Sequence, residues 1–492
     1  MKTAFWEREL WYGGAVCDGM NQPYAPSSRC ELALHRSDSP NQCMPLLLSS
    51  KGRYHWCGDG FTARFGGGAI EYSGGVELGQ GDEPTLRGAY RAAMARHFPF
   101  VRGAPDGRFF SGPVYNTWIE LTFHQSQRGV LDYARNILSH GLPPGVLMID
   151  DGWSPYYGRW CFDRERFPDA PAMLRELHGM GFTVMVWVCP FVTPDTLEYR
   201  ELEARGLLVR SAAGEPHIAR WWNGWSAVLE LRGSDAADWL RGRLSALQAI
   251  GVDGFKFDAG DSIYYPQDGP AQCAAWARFG ADYPLNEFRA SYLAGGLPLM
   301  QRLCDKRPAW DGSGLAALVP HALVASLTGH PYVCPDMIGG GEYQSFLEQE
   351  SVDEELFLRW AEAACLMPVM QFSAAPWRVL SPEGLEAVKR AVAFRARWQP
   401  YLDEAVEACR ATGEPILRPL LYEFPETEYG GLSDAFLVGS RLLVAPLLER
   451  GQTVRRVFLP PGRWEGADGA LYSGGEYDIA ATPGVPPCFF RL

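Results

Sequence analysis

The sequence has no C-x-x-C pair, no run of ~18 uncharged apolar residues and no excess of basic charge, and each absence removes a class of function. Without paired cysteine spacing, the 12 cysteines do not form a thiol-redox motif or a zinc ribbon. Cys189 and Cys365 stand in apolar runs and read as buried thiols of a reducing compartment. Cys17, Cys30, Cys43 and Cys57 share one N-terminal stretch and are the four that would pair if the protein were exported. The missing apolar run excludes a helical membrane span, and Glu7, Arg8 and Glu9 fall where a signal peptide needs its apolar core, so the expected location is cytoplasmic. Lys and Arg total 45 against 58 Asp and Glu, and a net charge of −13 leaves no broad basic face for nucleic acid or anionic lipid.

Cofactor motifs are missing too. No acidic run has the calcium-loop spacing, and the nine histidines include no H-x-x-x-H or HExxH. The glycine runs at 66–68 and 339–341 lack a following Lys-Ser/Thr, and no GxGxxG follows a strand. Neither a metal nor a nucleotide cofactor is expected.

What is present is an ordinary globular composition, 47% hydrophobic and 21% charged, in a chain of 492 residues, long enough for several domains. Residues 1 to about 105 are rich in Gly and turn signals and read as small antiparallel sheet without a long helix. From about 113, short apolar runs alternate with helical patterns: PVYNTWIE, GVLMIDDGW, FTVMVWVCP and VDGFKFDAGD are the first four runs. Runs near 297–305, 331–336, 366–373 and 415–421 bring the count to the eight needed for a (β/α)8 barrel with a parallel sheet covered on both sides. After about 430, short strands resume without clear helices, giving a second small sheet domain.

In such a barrel the active site lies at the C-terminal strand ends, and the residues that end these runs are mostly acids. Asp150 and Asp151 end VLMIDD, Asp258 and Asp261 end FKFDAGD, Asp305 ends LMQRLCD and Asp336 ends YVCPD. One Asp at a strand end is ordinarily a helix cap or turn former, but four strands ending this way point to a site. Lys256 and Asp258 are two apart in a strand and so project to one side, with Phe255 and Phe257 on the other. A neighbouring ammonium keeps a carboxylate ionised, as a nucleophile requires; the plain alternative is a structural ion pair. Of the 17 tryptophans, Trp153, Trp187 and Trp222 stand beside strand ends, where aromatic faces could carry a sugar ring. Paired carboxylates with aromatic platforms suit glycosyl transfer.

The segments GFKFDAGD, PDMIGGG, RWWNGWSAVLEL, FLRWAEAACLMPVMQFS and ILRPLLYEFP followed by FLVGSRLLVAPLLERG resemble glycoside hydrolase family 31, the retaining α-glycosidases, and within it the branch containing the myogenesis-regulating glycosidase. The resemblance implies an N-terminal β-sandwich over 1–108, a catalytic TIM barrel over 109–410 with its last strand near 415–421, and a C-terminal β-domain over 411–492. It implies Asp258 as nucleophile and Asp311 as acid/base, with Trp310 among the apolar surroundings that would raise the acid's pKa. Asp150, Asp151, Arg302 and Asp336 are implied as sugar-binding residues. Where many α-glucosidases of the family have Arg-Asn-His, this chain has Gln371, Phe372 and Ser373. The usual histidine contact to glucose is therefore missing, which argues against a plain glucosidase; Gln371 and Ser373 are candidate sugar contacts there, and IDDGW also resembles related α-galactosidases. The implied activity is hydrolysis of a terminal α-galactoside or α-glucoside by double displacement. A transglycosylase and a carbohydrate-binding protein without catalysis are the alternatives, and assembly into a homo-oligomer is left open.

Overall fold

Strands apolar on both faces cannot stand in water, so the middle of the chain must be wrapped. A computed structural model describes residues 1–35, 41–101, 103–348, 352–431 and 433–492. In it, eight parallel strands run in the order Val114–Asn116, Val146–Ile149, Thr183–Val188, Gly254–Phe257, Asn286–Phe288, Met300–Arg302, Val333–Cys334 and Gln371–Phe372 around the barrel. The eighth pairs with the first, and a parallel bridge between Met337 and Gln371 nearly closes the ring.

Two strand expectations are corrected. The run near 415–421 is not in the barrel: Leu417–Arg418 pairs antiparallel with Phe436–Val438 in a six-stranded C-terminal sheet. The place it was given is filled by Asn286–Phe288, which has no apolar run to announce it. That strand is polar and buried, and its side chains bond locally: Asn286 Nδ2 donates to the Tyr283 and Pro298 carbonyls, and its Oδ1 accepts from the Met300 amide. Periodicity cannot reveal a strand whose burial rests on hydrogen bonds.

The N-terminal region holds two antiparallel sheets with a shared core, in which Leu32, Phe65 and Ile70 of one meet Trp11 and Leu47 of the other. Its strand Gln42–Ser49 is buried on both faces. Cys43 and Leu47 face that core, while Met44, Leu46 and Leu48 pack on a 12-residue helix, Leu86–His97, started by the Thr85 side chain accepting from the Gly88 amide. This helix overturns the expectation that the region holds no long one. Ser291–Tyr292, in the loop after the fifth barrel strand, adds in parallel to Gln42–Cys43 and joins the N-terminal sheet to the barrel. No helix among the described residues is long and apolar enough to cross a membrane.

After the eighth strand a 31-residue helix, Pro382–Thr412, packs along the barrel and ends at Gly413, whose φ of +75° is left-handed. Within it Arg395 is fully buried and spends its guanidinium on backbone, donating to the carbonyls of Cys365, Met367, Pro368 and Phe110 at 3.0, 2.6, 2.7 and 2.9 Å. It ties the first and eighth strands' approaches to one helix. Arg395→Met is expected to cost on the order of 3 kcal/mol by orphaning buried carbonyls, read as a lower midpoint in urea unfolding.

Candidate active site

Strand alternation sets the site. In Gly254–Phe257 the Phe255 ring lies edge-on to Tyr283, and the Phe257 ring meets Trp276 and stacks on Phe288, so both phenylalanines face the helical layer. Lys256 and Asp258 therefore point into the barrel mouth, where they line a pocket of about 260 Å³. Asp150, Asp151, Trp187, Trp222, Asn223, Arg289, Arg302 and Asp305 share it, and Trp118, Phe123 and Tyr343 form its opposite wall.

Asp258 is buried and held on every side. Trp187 Nε1 donates to Oδ2 at 2.8 Å, the Ala259 amide donates to Oδ1 at 2.8 Å, and Arg289 Nε lies 3.1 Å from Oδ1, with Lys256 Nζ at 4.0 Å. Burial alone would raise its pKa, but Arg289 and Lys256 outweigh it and hold the carboxyl well below the usual carboxylate range. Ala259 has φ of +55°, a strained value for a residue with a side chain, and it aims its amide at the carboxylate it follows.

Arg289 is the hinge of the site. Its Nη1 lies 2.9 Å from Asp305 Oδ2 while its Nε holds Asp258, so one guanidinium spans both carboxylates. The Trp222 ring covers its face at 4.7 Å. Arg302 backs this arrangement, with Nη1 at 2.7 Å from both Asp305 Oδ1 and Asp336 Oδ1. Asp305 stands at the open rim with its side chain 31% exposed; partial desolvation opposes its charge, but Arg302 and Arg289 outweigh it and hold the carboxyl below the ordinary range. Asp336 is pushed up by burial and does not line the pocket; it fixes Arg302, and its Oδ2 accepts from the Lys306 amide.

The other side of the pocket is a second carboxylate group. Asp150 is paired with Lys256 at 2.7 Å, and its Oδ1 accepts from the Asp151 amide. Asp151 accepts from Tyr157 Oη at 3.0 Å, Asn223 Nδ2 at 2.7 Å and the Gly152 amide at 2.6 Å. Burial and the neighbouring Asp150 nonetheless push its pKa up to about 7. Asn223 and Trp222 sit at the tip of a hairpin, Ile218–Trp221 with Gly224–Val228.

Several expected residues lie elsewhere. Asp311 is exposed outside the pocket, and its Oδ1 accepts from the Ser313 amide and hydroxyl, bonds that lower its pKa. It does not line the pocket that holds Asp258, and Trp310 is turned to Asp353. Trp153 is core: its Nε1 donates to the Trp187 carbonyl and its ring packs on Trp160 and Phe162. Gln371 and Ser373 are buried beneath the pocket, Gln371 donating to Glu287 at 2.7 Å and Ser373 Oγ accepting from the Ile119 amide. Arg289 and Asn223 were not singled out by the sequence reading. Arg289 follows the strand that periodicity hid, and Asn223 shows only as a polar residue among the tryptophans of RWWNGW.

The N-terminal sheet reaches into this site. Gln42 Nε2 donates to the carbonyls of Arg289 and Arg302, each at 2.7 Å, and the Asn41 amide donates to Asp261. The backbone under both arginines is thus held from another domain.

With this geometry in view, the models of known families are decisive. The glycosyl hydrolases family 31 TIM-barrel domain matches residues 114–293 and 304–405, and the glycosyl hydrolase family 31 C-terminal domain matches 413–491. The chain belongs to glycosyl hydrolase family 31. The myogenesis-regulating glycosidase of Mus musculus is 35% identical over 78% of this chain and 56% of its own length. The sulfoquinovosidase of Escherichia coli strain K12 is 26% identical over 68% of this chain and 53% of that protein. The chain therefore spans about half the length of the curated relatives it matches. Among solved structures, a family 31 dextranase of Flavobacterium johnsoniae complexed with glucose superposes with a TM-score of 0.85 at 19% identity, covering 100% of this chain and 66% of that one, which establishes the shared fold.

Two outcomes test the electrostatics. Asp151 has a folded pKa above its unfolded value of about 4, so its burial destabilises the fold increasingly as pH rises from 4 through 7. Asp151→Asn should match wild type near pH 4 and exceed it by roughly 1–3 kcal/mol at pH 8 in thermal or urea unfolding. Gln42→Leu, which leaves the two carbonyls unpaired, should cost about 1–3 kcal/mol of stability.

Proposed function

We propose that this family member is a retaining exo-α-glycosidase acting on a terminal, neutral, α-linked hexose of the galactose or glucose type. The observation that carries the reading is Arg289 touching both Asp258 and Asp305, because retaining enzymes need two carboxyl groups ~5–5.5 Å apart across the anomeric carbon. Asp258, kept ionised by Arg289 and Lys256, attacks the anomeric carbon. Asp305, in place of Asp311, protonates the leaving oxygen and then takes a proton from the water that hydrolyses the glycosyl-Asp258 intermediate.

Arg302 and Arg289 favour the ionised form of Asp305, the form the second step requires. A leaving group seated against it excludes water and favours its protonated form, loading it for the first step. Asp150 and Asp151 suit two sugar hydroxyls, and Trp187 offers an aromatic wall beside the nucleophile.

A neutral sugar follows from charge matching within the pocket lining. Lys256 answers Asp150, Arg289 answers Asp258 and Asp305, and Arg302 answers Asp305 and Asp336. No cation among these lining residues is left for a sulfonate or carboxylate on the substrate, so a sulfoquinovoside is a poor fit.

The test compares three variants on 4-nitrophenyl and alkyl α-glycosides. Asp258→Asn should lose at least ~10³-fold in kcat on all of them. Asp305→Asn should lose ~10²-fold or more on alkyl glycosides and far less on activated aryl ones, which need no acid. Asp311→Asn should stay within about twofold of wild type. Full activity in Asp305→Asn, with loss in Asp311→Asn, would return the acid/base role to Asp311.

A further inference from the structure

Behind Asp305, three side chains that hydrolysis does not use come together. Asp305 lines the pocket, while its neighbours Cys304 and Lys306 do not. The Lys306 side chain is buried, its Nζ donates to Cys304 Sγ at 3.4 Å, and the same Nζ lies 2.9 Å from His321 Nδ1. Buried ammonium groups are ordinarily matched by carboxylates; here the contacts are a thiol and an imidazole. His321 is neutral, because burial and then the Lys306 charge bring its pKa down to about 3, so its Nδ1 presents a lone pair to the amine. Cys304 is only half-buried, which admits a small oxidant.

We propose that Cys304 and Lys306 form a covalent modification site in which a hydroperoxide oxidant leads to a sulfur–nitrogen bond between Sγ and Nζ. In the first step the thiol sulfur attacks the terminal peroxide oxygen: Cys304–SH and H2O2 give Cys304–SOH and water, with sulfur oxidised and the peroxide reduced. In the second, the Lys306 ammonium gives up one proton to bulk water, and the freed nitrogen lone pair, held in place by the contact to His321 Nδ1, attacks the sulfenic sulfur. The S–N bond forms, the S–O bond breaks, and the oxygen leaves as water, giving Cys304–S–NH–Lys306. Two equivalents of an external thiol reverse the change, restoring both side chains and leaving a disulfide of the reductant.

The bond would act on the site through the backbone. The Lys306 amide holds Asp336, which fixes Arg302, and the Lys306 carbonyl accepts from the Gly341 and Glu342 amides that begin the pocket's far wall. Drawing Nζ onto Sγ strains the turn that carries Asp305 between them, so oxidation lowers kcat on alkyl glycosides. That functional consequence rests on the proposed role of Asp305, whereas the bond itself does not.

The experiment exposes the full chain to hydrogen peroxide, blocks remaining thiols and maps peptides by mass spectrometry. The expected product is a Cys304–Lys306 crosslink about 2 Da lighter than the reduced peptide, lost on dithiothreitol treatment and absent from Cys304→Ser. Wild-type activity should fall at least about twofold on oxidation and return with dithiothreitol, while Cys304→Ser changes little. Recovery of Cys304 only as a dimedone-trapped sulfenic or a sulfinic acid, without the bond to Lys306, overturns the site. Because the crosslink is read by mass, it stands or falls independently of the hydrolytic reading.

Discussion

The structure turns on one guanidinium between two carboxylates. Arg289 lies half-buried under Trp222, with Nε against Asp258 and Nη1 on Asp305, and so ties the two acids together and favours their ionised forms. Buried charges of this kind persist only when each is matched, and the matching extends outward in an unbroken series: Asp305 to Arg302, Arg302 to Asp336, Asp258 to Lys256, Lys256 to Asp150. Removing any member leaves its partner's charge uncompensated, so substitutions within the series are expected to be non-additive.

The fold supplies what this unit requires. Parallel strands bring Asp150 and Asp151, Asp258 and Asp305 from three strand ends to one mouth, and the backbone beside it is bent, with Ala259 and Asp336 at positive φ. The N-terminal domain is part of the same device. Ser291–Tyr292 extends its sheet, and Gln42 bonds the carbonyls of Arg289 and Arg302, so the two arginines are positioned from outside the barrel as well as within it. The hairpin tip carrying Trp222 and Asn223 completes the mouth from the third side.

Much of this was legible in the sequence where the signal was alternation or a run. Lys256 and Asp258 facing one way and two phenylalanines the other followed from the period of two, and the barrel, its flanking sheets and the family followed from apolar runs and distinctive segments. What escaped was polar burial. Asn286–Phe288 has no hydrophobic signature because its burial rests on side-chain hydrogen bonds, and missing it shifted every later strand by one and sent the last to 415–421. The same gap hid Arg289, and the resemblance put the acid/base role on Asp311, which lies outside the pocket with its carboxylate bonded to its own turn. Trp153, Gln371 and Ser373 show the complementary error, since adjacency to a strand end does not say whether a side chain points into the mouth or under it.

The central claim is that Asp258 becomes covalently glycosylated opposite Asp305. The most direct measurement incubates the protein with a 5-fluoro-α-glycosyl fluoride of galactose or glucose configuration and locates the adduct by peptide mass. The account predicts a single glycosyl ester on Asp258, accumulating at one equivalent and released by an added sugar acceptor. An adduct on another carboxylate, or turnover of the fluoride with inversion at the anomeric carbon, would contradict it.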